Sequence, residues 1–488
     1  MAIAITDQGA TIKFDLGNDQ EYHIDKESIS VKKRWGFVYV YVNSDYENFT
    51  KLKMKYSEVI SPVVASNDEL ITTLLGYKSS ASIPVGAAFV DSPNLDAFAR
   101  LRVSNPRTIF DSKQLFDNAP LFWDDSQETG AGTTSTHDPD TASSTIGVAL
   151  NTAGKRTRQT FMRFNYQPGK SQLIFATFNL FKSGGGTGIT RTVGYGDDNN
   201  GIFLRDNEGT VEMLIRTNTS GTVAESAVAQ SAWNLDKMDG TGASGVTLDF
   251  TKTQILIIDF EWLGVGRVRT GFVIDGIPIY THEFNNANNL GLVYMSTPNL
   301  PLRYQIENDG TGVASTLEHI CTSVISEGGT QDNGVLRYAS TEGTHVDCNT
   351  INAIYAIAGI RLKSAQIGSV VKLVSLAMTG STTDDYEWLV IINPTVAVPL
   401  TYIDETSSSV QFAVGNATPA NNTVTGGTKM IGGLVKAGGG TGSITVDVDN
   451  ALLLGAAIDG TVDEIVLCCR PLGSNADIDG GITWRELS

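Results

Sequence analysis

The sequence predicts an all-β protein of sandwich type, and three observations carry that prediction. The chain holds 50 Gly against 14 Pro in 488 residues. Short runs of alternating apolar and polar residues are separated by clusters of Gly, Asn, Asp, Ser and Thr, which is the pattern of many strands joined by turns. Helical periodicity over any long window is nearly absent. A hydrophobic fraction of 41% with 18% charged residues places the chain among globular proteins with a sizeable core.

The first 60 residues read as a small β unit. TIKFDL (11–16), WGFVYVYV (35–42) and KLKMKYSEV (51–59) have the period of two and the β-branched or aromatic content of strands. Ser66 with Glu69 three residues on, ahead of LITTLL, forms a capping box and predicts one short helix. GYKSSASIPVG (76–86) reads as a linker. Residues 1–85 are therefore expected to form a small N-terminal domain, 86–365 a β-sandwich domain and 366–488 a C-terminal β subdomain. Residues 1–60 carry eight basic and nine acidic side chains, so the net charge of −18 resides in the body. A short, nearly neutral unit before an acidic one suits a docking piece.

In the body, QETGAGTTSTHDPDTASSTIGVALNTA (127–153) reads as a polar surface excursion, and GKRTRQ (154–159) as a solvated basic loop. Strands are expected in RQTFMRFNY, SQLIFATFNLF and GIFLRDNEGTVEMLIRT, and in the pair TQILIIDFEWLG (253–264) and RVRTGFVIDGIPIYTHEF (267–284). Asp275-Gly276 signals a tight hairpin, and Pro278 an edge strand or bulge. SITVDVDNALLLGAAIDGTVDEIVLCCRPL and ITWRELS continue the pattern to the end.

Charge and cysteine content exclude several functions. A charge of −18 opposes nucleic acid and anionic membrane surfaces, both of which need a basic face. No apolar run has the length of a membrane span, and MAIAITDQGA lacks the basic start and apolar stretch of a signal peptide, which predicts synthesis in a cytoplasm. Cys321, Cys348, Cys468 and Cys469 have no metal spacing and are expected to be free thiols. Cys468 and Cys469 would face opposite sides of one strand.

The sharpest chemical signal is IIDFEWLG (257–264). It resembles the E-I-D-x-E strand of glucan-cleaving enzymes on a concanavalin-like sandwich. The run T-x-F-x-I-D-G before an alternating strand is likewise similar to concanavalin- or laminin-G-like sandwiches. In this chain the position that matches the nucleophile is Ile257, which cannot attack a sugar. Asp259 and Glu261 would then line the solvent face, opposite Ile258, Phe260 and Trp262, with Arg267 and Arg269 as cross-strand partners. GDDNNG (196–201), VDVDN (446–450) and DIDG (477–480) offer clustered oxygens that suit calcium, but none has a full calcium-loop spacing, and such clusters make turns without metal. SGGGTG (183–188) lacks the Lys-Ser/Thr of a phosphate loop. No residue is assigned a catalytic or metal role, no cofactor is expected, and the chain is expected not to be an enzyme.

One segment stands apart from this glycine-rich background. DAFARLRVSNPRTIFDSKQLFDNAPLFWDD (96–125) resembles a segment of virion structural proteins of tailed bacteriophages. The pattern D-A-F-x-R-L-R-V-S-x-P-x-T-x-F-D-S-K-Q falls on Asp96, Ala97, Phe98, Arg100, Leu101, Arg102, Val103, Ser104, Pro106, Thr108, Phe110, Asp111, Ser112, Lys113 and Gln114. DFEWLGVGRVRTGFVIDG, THEFNNANNLGLVYMSTPNLPLRYQIEN and the closing TWREL match the same group, and YSEVISPVVASNDELITTLL is similar to leading segments in phages of gut Bacteroidetes, the crAss-like phages. The resemblance implies a virion component assembled in the host bacterial cytoplasm: a head or tail fibre, appendage or capsid-decorating protein whose partners are other virion proteins. The alternative is a glycan-binding or glycan-cleaving host-contact module whose partner is a host surface glycan. Several weak docking sites acting together give avidity, so a homo-oligomer is expected, a trimer or a dimer. Aromatic and Arg residues dominate buried contacts, which makes Phe98, Arg100, Arg102, Phe110, Phe122 and Trp123 the interface candidates.

Overall fold

The computed structural model describes residues 95–97, 105–380, 385–436 and 452–487, together with the strands at 4–7, 11–15, 21–25, 29–34, 37–42, 52–55 and 443–447. The chain divides into two compact units, Met1–Leu95 and Asp96–Ser488. Almost every described element is a strand, and the described helices are 3-10 turns of three or four residues. Among the described residues, no helix is long and apolar enough to cross a membrane.

The first unit holds two antiparallel three-stranded sheets. One runs Ala4–Asp7, Thr11–Asp15, Glu21–Asp25, and the other Ile29–Arg34, Phe37–Val42, Leu52–Lys55. The expected strands around 11–16, 35–42 and 51–59 are present, one or more residues shorter. The expected helix after Ser66 and the linker at 76–86 lie outside the described residues.

The second unit begins with a β-sandwich. In one sheet the order is Ile277–Phe284, Val268–Ile274, Gln254–Phe260, Gln172–Ser183, Ser315–Ser326, Ser143–Val148, Thr133–Asp138. The strand Ser315–Ser326 has 12 residues. It pairs with Ser143–Val148 along its first half and with Arg107–Lys113 along its second. The facing sheet runs Ala224–Ala229, Thr210–Thr217, Gly201–Asn207, Ile189–Gly196, Leu302–Asn308, Gly154–Thr160, Trp123–Gly130. Their inner faces share one core that includes Phe110, Trp123, Ile174, Phe178, Tyr195, Ile258, Phe260, Tyr304 and Val324. This is a concanavalin/laminin-G-like sandwich, in which alternate residues of both sheets interdigitate.

The predicted hairpin is present. Asp275 and Gly276 both have positive φ, 51° and 78°, and they join Val268–Ile274 to Ile277–Phe284 with Ile274 opposite Ile277. That is the two-residue turn whose twist matches its strands. Pro278 sits on the outermost strand of its sheet, where a missing N–H costs no ladder bond.

Two expectations fail. Residues 127–153 are not a loop excursion: they contain Trp123–Gly130 in part, Thr133–Asp138 and Ser143–Val148. Their Thr and Ser side chains face outward or fill hydrogen-bonded interior positions, so the alternation is not written in apolar residues. GKRTRQ is likewise a strand, flanked on both sides by partners, with Arg158 fully buried. Basic residues read as solvated because burial normally excludes them, but here carboxylates wait on the neighbouring strand.

From Val335 onward the described strands form a two-stranded ribbon, Thr395–Val396 with Val424–Thr425, and a second pair of sheets. One runs Val335–Ser340, Ala476–Glu486, Val371–Gly380, Ser443–Asp447, with Val346–Cys348 also on Ala476–Glu486. The other runs Ile403–Asp404, Val410–Val414, Tyr355–Leu362, Glu464–Pro471, Tyr386–Ile392, Thr428–Val435. The sandwich strands thus end at Ser326, and Tyr355–Leu362, expected in the sandwich, pairs within this C-terminal lobe. All four cysteines are free. Cys469 joins the core between the two C-terminal sheets and Cys468 the cluster on the outer side of the six-stranded one, as alternation along a strand requires.

Candidate functional site

The enzyme-like strand comes first. Register places Asp259 directly opposite Arg269. Arg269 Nη2 donates to Asp259 Oδ2 at 2.6 Å, the Tyr280 hydroxyl donates to the same oxygen at 3.0 Å, and Ser171 Oγ donates to Oδ1. The Arg269 guanidinium lies 4.2 Å from the centre of the Tyr280 ring. Asp259 and Arg269 are wholly inaccessible. The cross-strand partnership was expected and is present, but the solvent-facing position expected for Asp259 is not: the residue is wholly buried. This side of the strand packs in its own cluster, Leu173, Ile257 and Tyr280 with Leu235 and Phe175 at its margin. Ile257, which replaces the nucleophile, is part of that cluster. Glu261 accepts the backbone N–H of Arg267 at 3.1 Å, and Arg267 Nε donates to the Ala97 carbonyl at 3.2 Å. A sugar chain has no route to Asp259.

The segment after Pro106 is built differently. In the strand Arg107–Lys113, Phe110 and Ser112 point inward while Arg107, Thr108, Asp111 and Lys113 are exposed. Trp123 is 2% exposed. Its indole N–H donates to Ser112 Oγ at 2.9 Å, and its ring meets the edge of His319 at 4.4 Å and of Tyr304 at 5.8 Å. Arg158 is the hub beneath. Its Nη1 donates to Asp125 Oδ2 at 2.6 Å, and its Nη2 donates to the Asn118 carbonyl at 2.6 Å and to Gln114 Oε1 at 3.2 Å. Arg156 Nε donates to the other Asp125 oxygen at 2.7 Å. Burial, joined by the Arg158 charge, holds the His319 imidazole well below its ordinary range.

The inner side of 114–125 is thus fixed by a buried arginine, while its outer side is apolar. Leu115, Leu121 and Phe122 are 47%, 58% and 43% exposed, and Phe116 is 92% exposed. A cleft of about 430 Å³ continues from this strip, between Pro120, Leu121, Phe122 and Met162 of the sandwich and Ile392, Met430 and Leu452 of the C-terminal lobe. The Ile458 N–H donates to Asp124 Oδ2 at 2.8 Å and the Ala456 N–H to the Phe161 carbonyl at 3.0 Å, which ties the lobes beside it.

Three of the six interface candidates, Phe110, Phe122 and Trp123, fall among the described residues, and one of these lies at the surface. Phe110 and Trp123 belong to the sandwich core and cannot meet a partner; their aromatic bulk fills the space over Ser112 and His319 instead. Phe122 lies on the exposed strip. Phe98, Arg100 and Arg102 lie outside the described residues. Leu115, Phe116 and Leu121 were not among the candidates, because residue type ranked the segment whereas the path of the backbone decides which side chains face out.

A second cleft, about 440 Å³, lies by the outermost strands of the facing sheet. Thr217, Thr219, Ser226 and Asn286 line it together with Phe284 and Tyr294. The calcium candidates differ in fate. In GDDNNG, Asp197 Oδ1 accepts the backbone N–H groups of Asn199 and Asn200, and its other oxygen meets Arg163 at 2.7 Å. Asp198 is engaged by Arg303 and Lys155, which outweigh the raising effect of burial and hold it at about 2. Most of VDVDN lies outside the described residues.

No family model and no curated protein matches the sequence. Among solved structures, the chain is similar to the carbohydrate recognition domain of Emp47p, at 9% identity over 45% of this chain and 96% of that one, with a TM-score of 0.29. It is similar to an endo-1,3-beta-glucanase from Streptomyces sioyaensis at 10% identity over 45% and 96%, TM-score 0.29. It is also similar to the CBM2 module of the evolved Dit of Lactobacillus casei BL23 phage J-1, at 7% identity over 46% and 98%, TM-score 0.30. Each is a likeness of fold over less than half of this chain, and none transfers a site.

Proposed function

We propose that this chain is a structural component of a bacteriophage virion, a head or tail fibre, appendage or decorating module, that meets its partners through the Leu115–Phe122 strip. The observation that supports it is the split character of that segment. An apolar surface held rigid by a buried Arg158–Asp125 pair is pre-organised for protein contact, because little side-chain and loop freedom is left to lose on binding. The resemblance of 96–125 to phage virion segments points the same way. The sealed Asp259 supports a role other than glucan cleavage. The test is immunogold labelling of purified particles of the phage that encodes the chain: label on head or tail is expected, and particles free of the chain by mass spectrometry would overturn the reading.

A second reading, glycan binding at the host surface, rests on the cleft lined by Thr217, Ser226 and Asn286 with Phe284 and Tyr294, which combines the hydroxyl and amide groups a sugar requires with apolar surface. Binding to a panel of bacterial surface glycans that is lost in Thr219→Ala or Ser226→Ala, at a half-buried and an exposed side chain of the cleft, would favour it.

A further inference from the structure

We propose that His345, Asp347 and Asp477 form a binding site for one divalent cation of the zinc class on the outer face of the C-terminal lobe. The placement follows from strand alternation. Val346 and Cys348 are buried, so His345 and Asp347, two residues apart, both face outward. Asp477 lies between buried Ala476 and Ile478 on the paired strand and faces outward too, and the ladder sets it directly opposite Asp347. The three ligand atoms all lie within 4.8 Å of one another, and His345 Nε2 is 3.7 Å from Asp347 Oδ1.

Two carboxylates directly opposite on antiparallel strands repel each other. A divalent cation held by all three side chains would offset that repulsion. Bonds of about 2.0–2.2 Å to nitrogen and carboxylate oxygen require the ligand atoms to draw slightly closer. The side chains can do so by rotation, since His345 and Asp347 are each nearly half exposed. An imidazole nitrogen with two carboxylates selects a borderline metal such as Zn²⁺ over Ca²⁺, which takes six to eight oxygens. The DIDG run had suggested calcium from its oxygens alone. In the fold its second aspartate is engaged elsewhere, as Thr341 Oγ1 donates to Asp479 at 2.9 Å, and a histidine distant in sequence takes its place.

The site spans two strands that are far apart in the chain, so metal binding pins Val346–Cys348 to Ala476–Glu486. The experiment is calorimetric titration of tag-free full-length protein, stripped with EDTA, with ZnCl₂ and separately with CaCl₂. One equivalent of Zn²⁺ should bind, and a roughly 100-fold excess over Kd should raise the melting temperature by a few °C, reversed by chelation. Asp347→Asn and His345→Ala should each weaken Zn²⁺ binding at least about tenfold, with far-UV circular dichroism unchanged. Both substitutions are at exposed side chains, so folding is retained. Zn²⁺ uptake of equal strength in both variants, no uptake by the unsubstituted chain, or tighter binding of Ca²⁺ than of Zn²⁺ would overturn the proposal.

Discussion

The fully buried Arg158 sets its Nη1 2.6 Å from Oδ2 of Asp125, and the same guanidinium reaches the carbonyl of Asn118. One interior cation thereby holds both the strand that follows Trp123 and the turn that precedes it. Arg158→Ala leaves Asp125 with Arg156 as its remaining cation, removes the donors to the Asn118 carbonyl and Gln114, and should cost about 1–3 kcal/mol. Urea unfolding checks this, and a loss below about 1 kcal/mol would mean the clamp is not formed in solution.

Phe116 and Trp123 should separate association from stability. Phe116→Asp changes an exposed side chain, so stability should stay within about 0.5 kcal/mol, while any self-association weakens. Trp123→Ala empties core volume and should cost about 3–5 kcal/mol. Light scattering after size exclusion at micromolar concentration measures the first effect. A clean monomer of the unsubstituted chain would remove self-association as the use of the strip.

Asp259 discriminates a structural carboxylate from a catalytic one. Asp259→Asn weakens the Arg269, Tyr280 and Ser171 contacts and should lower the melting temperature by several °C, since the buried arginine loses the counter-charge directly opposite it. Catalytic carboxylates behave in the opposite way: their loss abolishes turnover with the fold intact. An unchanged melting temperature together with loss of measurable glucan hydrolysis would reverse the assignment.

Stability should fall as pH drops from 7 towards 5. His319 is neutral in the fold because burial, with the Arg158 charge beside it, depresses its pKa well below 6.5. Burial also lowers His282, against the opposing charge of Glu283. The unfolded chain therefore binds more protons below the ordinary value, and stability present above pH 6.5 is lost as pH falls through it, by up to about 1.4 kcal/mol per pH unit per group. Melting curves across that window should show the slope, and His319→Gln should flatten it. A pH-independent midpoint would show that folding does not lower these imidazole pKa values.

What could be read in the sequence followed chemistry that is local. The Asp275-Gly276 turn, the edge position of Pro278, the opposite faces of Cys468 and Cys469, and the Asp259–Arg269 partnership all depend on neighbours two residues or one strand away. What could not be read depends on the third dimension. Nothing within IIDFEWLG tells that a second apolar cluster closes over Asp259, because Leu173, Leu235 and Tyr280 come from elsewhere in the chain. GKRTRQ looks solvated until Asp125 is placed beside it. Phe110 and Phe122 look equivalent in composition, and only the path of the backbone between them sends one into the core and the other into solvent. His345 and Asp477 are 132 positions apart, and no spacing rule joins them.

The adjacent thiols of Cys468 and Cys469 make the central C-terminal strand its own reporter. Each sulfur is sealed on a different side of the same sheet, and burial pushes the Cys468 thiol far above the range where a reagent could find thiolate. A disulfide-exchange dye added to native protein therefore reads how often each layer opens. If the inner layer and the outer patch melt together, the two sulfurs react at one rate. If the outer patch peels away first, Cys468 is labelled while Cys469 stays dark, and the order in which this lobe comes apart is written on two consecutive residues.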